Sequence, residues 1–413
     1  MCSQMNRAFT IVIISLSRVL HLFLRLLGRN GDALPGKFAM KLYPDILHEL
    51  AEGMHCVFVT GTNGKTTTVH ILSKLMKERF GDDMMENTFG VNLPQSIAFE
   101  FIRNTDWLGR MKYHYAVLEC DEEFMPKVCR SVRPEVVVMT NLGEDQLDRF
   151  PSIEYVYEHI RSGLETCGGS AVLCTNADDA YASRLASEYG GKTLLFGKAG
   201  GDGKDLCVSW DGTVSDKTED GFSYSLAVKG EGAVVATSSI PGIFNVYNAM
   251  AALAAVKAFG MAAGDYAQYL KDVLPAANRM EAFTIDGIPM RMALVKNMSS
   301  FDVMADYVAS LEYDMVIVLA QAAELPDDMS FEWIGHLDLS ALKGVAHIKK
   351  IFLTGKMAQG WYDHFAESGF DMEKLAIIWD NSLLMTALRG LRLPVMWLPC
   401  YSESMRLRKF FRL

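Results

Sequence analysis

Short apolar runs alternate with longer amphipathic stretches along most of this chain. CVFVT (56–60) reads as a strand, TTTVHILSKLMKERF (66–80) as a helix, and YAVLEC (115–120) and PEVVVMTNL (134–142) as further strands. AVLCTN (171–176) and TLLF (193–196) continue the series. Near-continuous apolar strands separated by helices predict a parallel sheet covered on both faces, an α/β fold. Residues 198–236 change to Gly, Asp and Ser with alternating strands, which predicts an antiparallel β excursion inserted in, or appended to, that sheet. The alanine-rich stretch 241–260 reads as a helix. A second α/β series opens near Ala282 and runs through MVIVLA (315–320), IKKIFLTG (348–355), LAIIWD (375–380) and LPVMWLPC (393–400), so a boundary is expected between Gly264 and Met280.

Residues 8–27, AFTIVIISLSRVLHLFLRLL, are strongly apolar but interrupted by Arg18, His21 and Arg25. The longest charge-free piece ends at Ser17, short of the ~20 residues of a spanning helix, and no small-residue cleavage signature follows. Three readings stay open: a helix burying its apolar face against the protein, one leaning on a membrane interface with its arginines toward head groups, or a fully bilayer-spanning anchor. Over the whole chain of 413 residues the formal net charge is −10, which removes the electrostatic footprint of a nucleic-acid binder. Eight cysteines, none spaced C-x-x-C, read as reduced thiols of a cytoplasmic protein rather than as a disulfide framework.

The most informative stretch is Thr60-Gly61-Thr62-Asn63-Gly64-Lys65-Thr66-Thr67-Thr68, directly after a strand and directly before a helix. Glycines let successive amides face a phosphate, a helix N-terminus adds its dipole, a lysine reaches the β and γ phosphates and a threonine hydroxyl ligates Mg²⁺. The strict G-x-x-x-x-G-K-[ST] spacing is not met, because Val59 stands where its first glycine belongs. Glu119, at the end of a later strand, sits where ligands bind in parallel sheets; the competing reading is one more solvated charge beside Asp121, Glu122 and Glu123.

The loop resembles the signature T-G-T-N-G-K-T-[ST] of the Mur ligase family. Thr140-Asn141-Leu142-Gly143-Glu144-Asp145-Gln146-Leu147-Asp148 is similar to that family's T-N-[IL]-x-x-D-H-L-D, with Gln146 for histidine. Asn176-Ala177-Asp178-Asp179 resembles its N-x-D-D step. Gly242-Ile243-Phe244-Asn245-Val246-Tyr247-Asn248 resembles G-x-H-N-x-x-N, with Phe244 for histidine. Asn278-Arg279-Met280-Glu281 resembles the G-R-x-E hinge, with Asn278 for glycine. The resemblance implies a Mur ligase-like central P-loop parallel-sheet domain followed by a smaller Rossmann-like α/β C-terminal domain. The expected division is an N-terminal helical segment (1–50), a central ATP-binding domain (51–270) and a C-terminal domain (276–413). It implies ATP and Mg²⁺, with Gly61, Thr62, Asn63, Gly64, Lys65, Thr66 and Thr67 on the phosphates. Thr66 and Glu119 hold the metal, Arg279 closes from the hinge, and Asn245 and Asn248 hold the base. Taken singly, the two asparagines read equally well as capping or turn residues.

Within the family the resemblance is to the MurT branch, carried by segments 28–37, 118–122, 145–149, Asn245–Ala249, Leu294-Val295-Lys296-Asn297 and Leu398-Pro399-Cys400-Tyr401. This implies amidation of lipid II in peptidoglycan biosynthesis, with ammonia from a GatD-type glutaminase partner. Members often carry a four-cysteine zinc ribbon; residues 174–236 here hold only Cys174 and Cys207, so zinc is not expected. A C-terminal motif whose aspartate completes the partner's Cys-His site survives in weakened form at 325–333, with Asp328 in register and Asp327 beside it; an ordinary loop carboxylate is the competing reading. The alternatives are another Mur-like amino acid ligase, or a nucleotide-binding subunit without turnover.

Overall fold

A computed structural model describes residues 2–27, 33–87, 92–143, 150–200, 203–209, 222–322 and 332–413. Two helices open it, α1 (Cys2–Leu26) and α2 (Ala33–Leu42), followed by α3 (Ile46–Ala51). The first sheet is built from β1 (His55–Thr60), β2 (Met84–Glu86), β3 (Tyr115–Glu119), β4 (Val136–Met139), β5 (Val172–Asn176), β6 (Thr193–Lys198), β7 (Leu206–Ser209), β8 (Phe222–Val228) and β9 (Gly232–Ser238). Its order is β2-β3-β1-β4-β5-β6-β7-β8-β9, parallel through β7 and antiparallel at β8 and β9.

The segment expected as an antiparallel excursion therefore continues the same sheet and begins with a parallel strand. After Lys198 the chain doubles back. The Asp205 amide donates to the Leu195 carbonyl (2.7 Å) and its carboxylate accepts from the Leu195 amide (3.0 Å), so β7 starts beside the middle of β6 and runs the same way.

Helices α4 (Lys65–Phe80), α5 (Pro94–Arg103), α6 (Met125–Val132), α7 (Ile153–Thr166) and α8 (Ala180–Glu188) lie between the strands. On one face of the sheet α9 (Ile243–Ala258) packs against α4 and β4–β6. Its run Ala249–Val256 is buried without interruption, because alanines let a helix sit close to its neighbours on all sides.

After α10 (Ala263–Ala267), a second sheet is ordered β10-β11-β15-β12-β13-β14. It comprises β10 (Arg279–Ile285), β11 (Ile288–Ala293), β12 (Met315–Ala320), β13 (Ile348–Thr354), β14 (Leu375–Ile377) and β15 (Val395–Pro399). The strands β10 and β11 form a hairpin through Asp286 and Gly287, both at positive φ (53° and 77°), the requirement of a two-residue primed turn. The remaining pairs are parallel. Among the described residues, α11 (Met298–Ala309), α12 (Ala358–Glu367), α13 (Asn381–Leu391) and α14 (Tyr401–Phe411) accompany this sheet. One buried cluster runs without a break from Val57 and Leu72 through Leu253 to Phe301, Leu319 and Trp361, so the facing sides of the two sheets share a core.

Candidate functional site

Strand β1 lies between β3 and β4, and the strand order reverses there, which opens a crevice at the C-terminal edge of the sheet. The loop after β1 fills that crevice. Gly61 and Gly64 take φ of 122° and 88°, and neither has room for a side chain: a Cβ on Gly61 meets Thr140 Oγ1 and the Asn141 carbonyl, and one on Gly64 meets Asn248 Oδ1. The loop is pinned by its neighbours. The Thr62 amide donates to the Asn141 carbonyl (2.9 Å), the Asn63 amide to Asn141 Oδ1 (2.9 Å), and Thr140 Oγ1 to the Asn63 carbonyl (2.7 Å). With Gly64 as N-cap, α4 starts without a side-chain cap, leaving its first amides for an anion.

Lys65, the first residue of α4, is buried and paired with Glu122 at 2.7 Å, while also donating to the Gly61 carbonyl. Burial alone lowers its pKa, but the Glu122 and Glu119 carboxylates outweigh that and hold it above the ordinary lysine value. The acidic run is no solvated face: Glu119, Asp121 and Glu122 are all buried. Glu119 is locked by a reciprocal pair of bonds between its backbone and the Asn87 side chain, each 2.8 Å.

Thr66 Oγ1 donates to Glu119 Oε2 at 2.7 Å. Two adjacent ligands of an octahedral Mg²⁺, each at ~2.1 Å, stand roughly 3 Å apart. The pair thus fits one edge of such a coordination shell. Among the described residues no group of three or more His, Cys, Asp or Glu lies together as a metal site. The fit is therefore to a hard cation that keeps waters and takes phosphate oxygens, not to an all-protein cage.

The second sheet supplies the opposite wall. Asn278 and Met280 bracket Arg279 with φ of 60° and 62°. Asparagine is the non-glycine residue that tolerates this region best, which accounts for Asn278 where the family's motif has glycine. Burial lowers the Arg279 pKa, with Glu119 opposing it. Lys296 stands just before α11, its backbone fixed by the Ser300 hydroxyl, which accepts from its amide (3.0 Å). Burial first, then repulsion from Lys65 and Arg279, pulls its pKa down to about 8. Across the gap Asn63 Nδ2 donates to Ser299 Oγ at 2.7 Å, joining the phosphate loop to the start of α11.

Between the walls lies a cavity of about 380 Å³, within the roughly 300–1,000 Å³ of small-molecule sites. Thr62, Asn63, Gly64, Lys65, Thr66, Thr67, Glu119, Asn245, Asn248 and Arg279 all line it; Gly61, also in the loop, is buried and is not part of the lining. Asn245 and Asn248 also have structural tasks: Asn248 Nδ2 donates to Asn245 Oδ1 (3.0 Å) and Asn245 Nδ2 to the Pro241 carbonyl (2.6 Å). Phe244 turns its ring edge-on to Tyr307 of α11, 6.2 Å between centroids. Asp327, Asp328 and the segment 145–149 lie outside the described residues.

Two site residues carry no role in the sequence reading, Glu122 and Lys296. Glu122 was one of several acids in a run, and Lys296 one letter in a matched segment. The signal that separates them is burial against opposite and like charge, which is a property of the folded chain.

Residues 59–256 match the Mur ligase middle domain. The chain is 28% identical over 369 residues to the lipid II isoglutaminyl synthase (glutamine-hydrolyzing) subunit MurT of Staphylococcus aureus (strain COL), covering 81% of this chain and 82% of that one. It is 28% identical over 376 residues to the MurT subunit of Streptococcus pneumoniae (strain ATCC BAA-255 / R6), covering 82% of each. Its fold is that of the MurF ligase from Thermotoga maritima solved with ADP, with a TM-score of 0.71 at 16% identity over 90% of this chain and 83% of that one.

Proposed function

We propose, from the match of residues 59–256 to the Mur ligase middle domain and from the likeness to MurT subunits that marks the protein as an ATP-dependent ligase, that it amidates the α-carboxyl of D-glutamate in lipid II. The product is D-isoglutamine in a peptidoglycan precursor, and the ammonia comes from glutamine hydrolysed by a GatD-type partner subunit at the cytoplasmic face of the membrane. The observation that carries this reading is the likeness to two MurT subunits over four-fifths of both chains. Asp328 is assigned by register to the partner's glutaminase site.

In this reading the reaction is positioning and charge neutralisation. The amides from Gly64 to Thr67, at the uncapped start of α4, cradle the β and γ phosphates, while those of Thr62 and Asn63 are held by Asn141 and fix the loop's shape. Lys65 exchanges Glu122 for a phosphate oxygen. Thr66 and Glu119 would hold Mg²⁺, which would neutralise charge on the transferred phosphoryl group. Asn245 and Asn248 hold the base. The substrate carboxylate forms an O–P bond to the γ-phosphorus as ADP leaves; ammonia then forms the C–N bond, phosphate departs, and the nitrogen loses a proton. Arg279 and Lys296 stand against the negative charge from the second sheet.

The test is ATP- and glutamine-dependent amidation of lipid II by this protein co-expressed with a GatD-type glutaminase, with Lys65→Ala as the blank. Amidated product that disappears in the variant supports the reading. Nucleotide binding with no product, or incorporation of a free amino acid in place of ammonia, would move the chain to another acceptor or another branch of the family.

A further inference from the structure

The helix α1 lies along the surface of the first domain with one side committed. Ile13, Ile14 and Ser17 are buried. Arg18, in mid-helix, donates to the carbonyls of Ile102 (2.8 Å) and Thr105 (2.6 Å) at the end of α5, and Thr10 Oγ1 to Glu49 (3.0 Å). Arg18 therefore does not reach toward head groups, as one reading of the sequence had it; it is a clamp onto the protein.

The other side is bare. Phe9, Val12, Leu16, Val19, Phe23 and Leu26 follow one another at three- and four-residue steps and are between 47% and 78% exposed. That spacing makes them one continuous outward stripe. Beside the helix, Trp107 is 84% exposed and lies 5.8 Å from the Arg18 guanidinium. The segment Ala8–Leu26 is long and apolar enough, by length and composition, to cross a membrane.

Charge selects among the occupants of this face. In a chain of net −10, α1 and α2 contain Arg7, Arg18, Arg25, Lys37 and Lys41 and not one carboxylate. Arg25, Lys37 and Lys41 are exposed. An apolar stripe with a basic surround and an exposed tryptophan is the composition of a helix that lies in a lipid interface. Spanning would strip the bonds of Arg18 and Thr10 and expose the buried side.

We infer that the outward stripe of α1, with Trp107 and the exposed Arg25, Lys37 and Lys41, docks the folded protein in the plane of an anionic lipid surface. This rests on the helix and its charge, not on the reaction proposed above.

Flotation of the full-length protein with vesicles tests it. Vesicles of phosphatidylcholine and phosphatidylglycerol in equal parts carry the protein upward, those of phosphatidylcholine alone carry much less, and salt weakens the association. Each basic residue near such a surface is worth roughly fivefold in partition, so Lys37→Glu/Lys41→Glu lowers it by tenfold or more. Val12→Glu/Val19→Glu abolishes it. Both variants change exposed positions, and an unchanged nucleotide-induced rise in Tm shows that they are folded. Absence of binding to either vesicle, indifference to the stripe variants, stripe-dependent dimers in solution, or release only by detergent and not by alkaline carbonate would each overturn the inference. Failure of lipid II amidation leaves it standing, because no outcome here depends on turnover.

Discussion

Lys65 spends its charge on Glu122 inside a closed site, and a buried pair is costly to break from one side. Removing one partner of such a pair costs about 3–5 kcal/mol. Glu122→Ala is expected to lower stability by about that amount in urea unfolding of the nucleotide-free protein. The loss shrinks when ATP and Mg²⁺ saturate the site, since a phosphate then replaces the missing carboxylate. An equal loss in both states would show that Lys65 does not move to the phosphates.

Lys296 gives the second prediction at this scale. Its folded pKa of about 8 lies below the ordinary lysine value, so the unfolded chain binds more protons between that value and roughly 10.4. The cost of holding its charge is therefore fully present below about pH 8 and is relieved as pH rises through that window. A triphosphate reverses the preference by favouring the ammonium. ATP binding should take up a proton near pH 8.5 and weaken by up to tenfold per pH unit above 8, and both effects should vanish in Lys296→Ala. Calorimetry in buffers of different ionisation enthalpy reads the proton directly.

Among elements, the contact between α2 and α5 is set by one residue. A Cβ on Gly36 runs into the Gln95 carbonyl, with Phe99 Cβ also close at 3.2 Å. Neither can yield, because one is backbone and the other sits in a close-packed interior. Gly36→Ala is expected to push α2 off α5 and to raise hydrogen exchange in both helices while leaving α9 protected. Exchange confined to Gly36 and its immediate neighbours would show that the helices absorb the methyl. The central strands β4, β12 and β15 were legible from their apolar runs because each is buried on both faces. The weak ones were not: β2 has three residues and no apolar run to mark it. The direction of β7 was hidden because it follows from the paired bonds of the Asp205 amide and carboxylate to the Leu195 backbone, not from any periodic residue pattern.

At the level of the whole molecule, the cavity is walled by both sheets, with Asn63 bonded to Ser299 across it. A nucleotide should therefore tie the sheets together. At a hundred times its Kd a ligand stabilises by about 2.7 kcal/mol. ATP with Mg²⁺ is expected to increase hydrogen-exchange protection in α4 and α11 alike, and chelation by EDTA to reduce both. Protection limited to α4 would mean that the second sheet takes no part in binding.

The phosphate loop could be read from the chain because its chemistry is carried by residue type and local order, whereas Glu119 and Arg279 were singled out by their resemblance to a family motif. Gly61 and Gly64 are needed for backbone angles, Lys65 for charge, and an apolar strand before them and a helix after them for aim. Folding alone brings Lys296 and Arg279 across from another sheet, turns Glu122 from a member of an acidic run into the partner of Lys65, and divides α1 into a clamped side and a bare one. Those outcomes depend on which groups lose water together. That is set by contacts between residues as much as 236 positions apart, as at Asn63 and Ser299, and no local pattern encodes them.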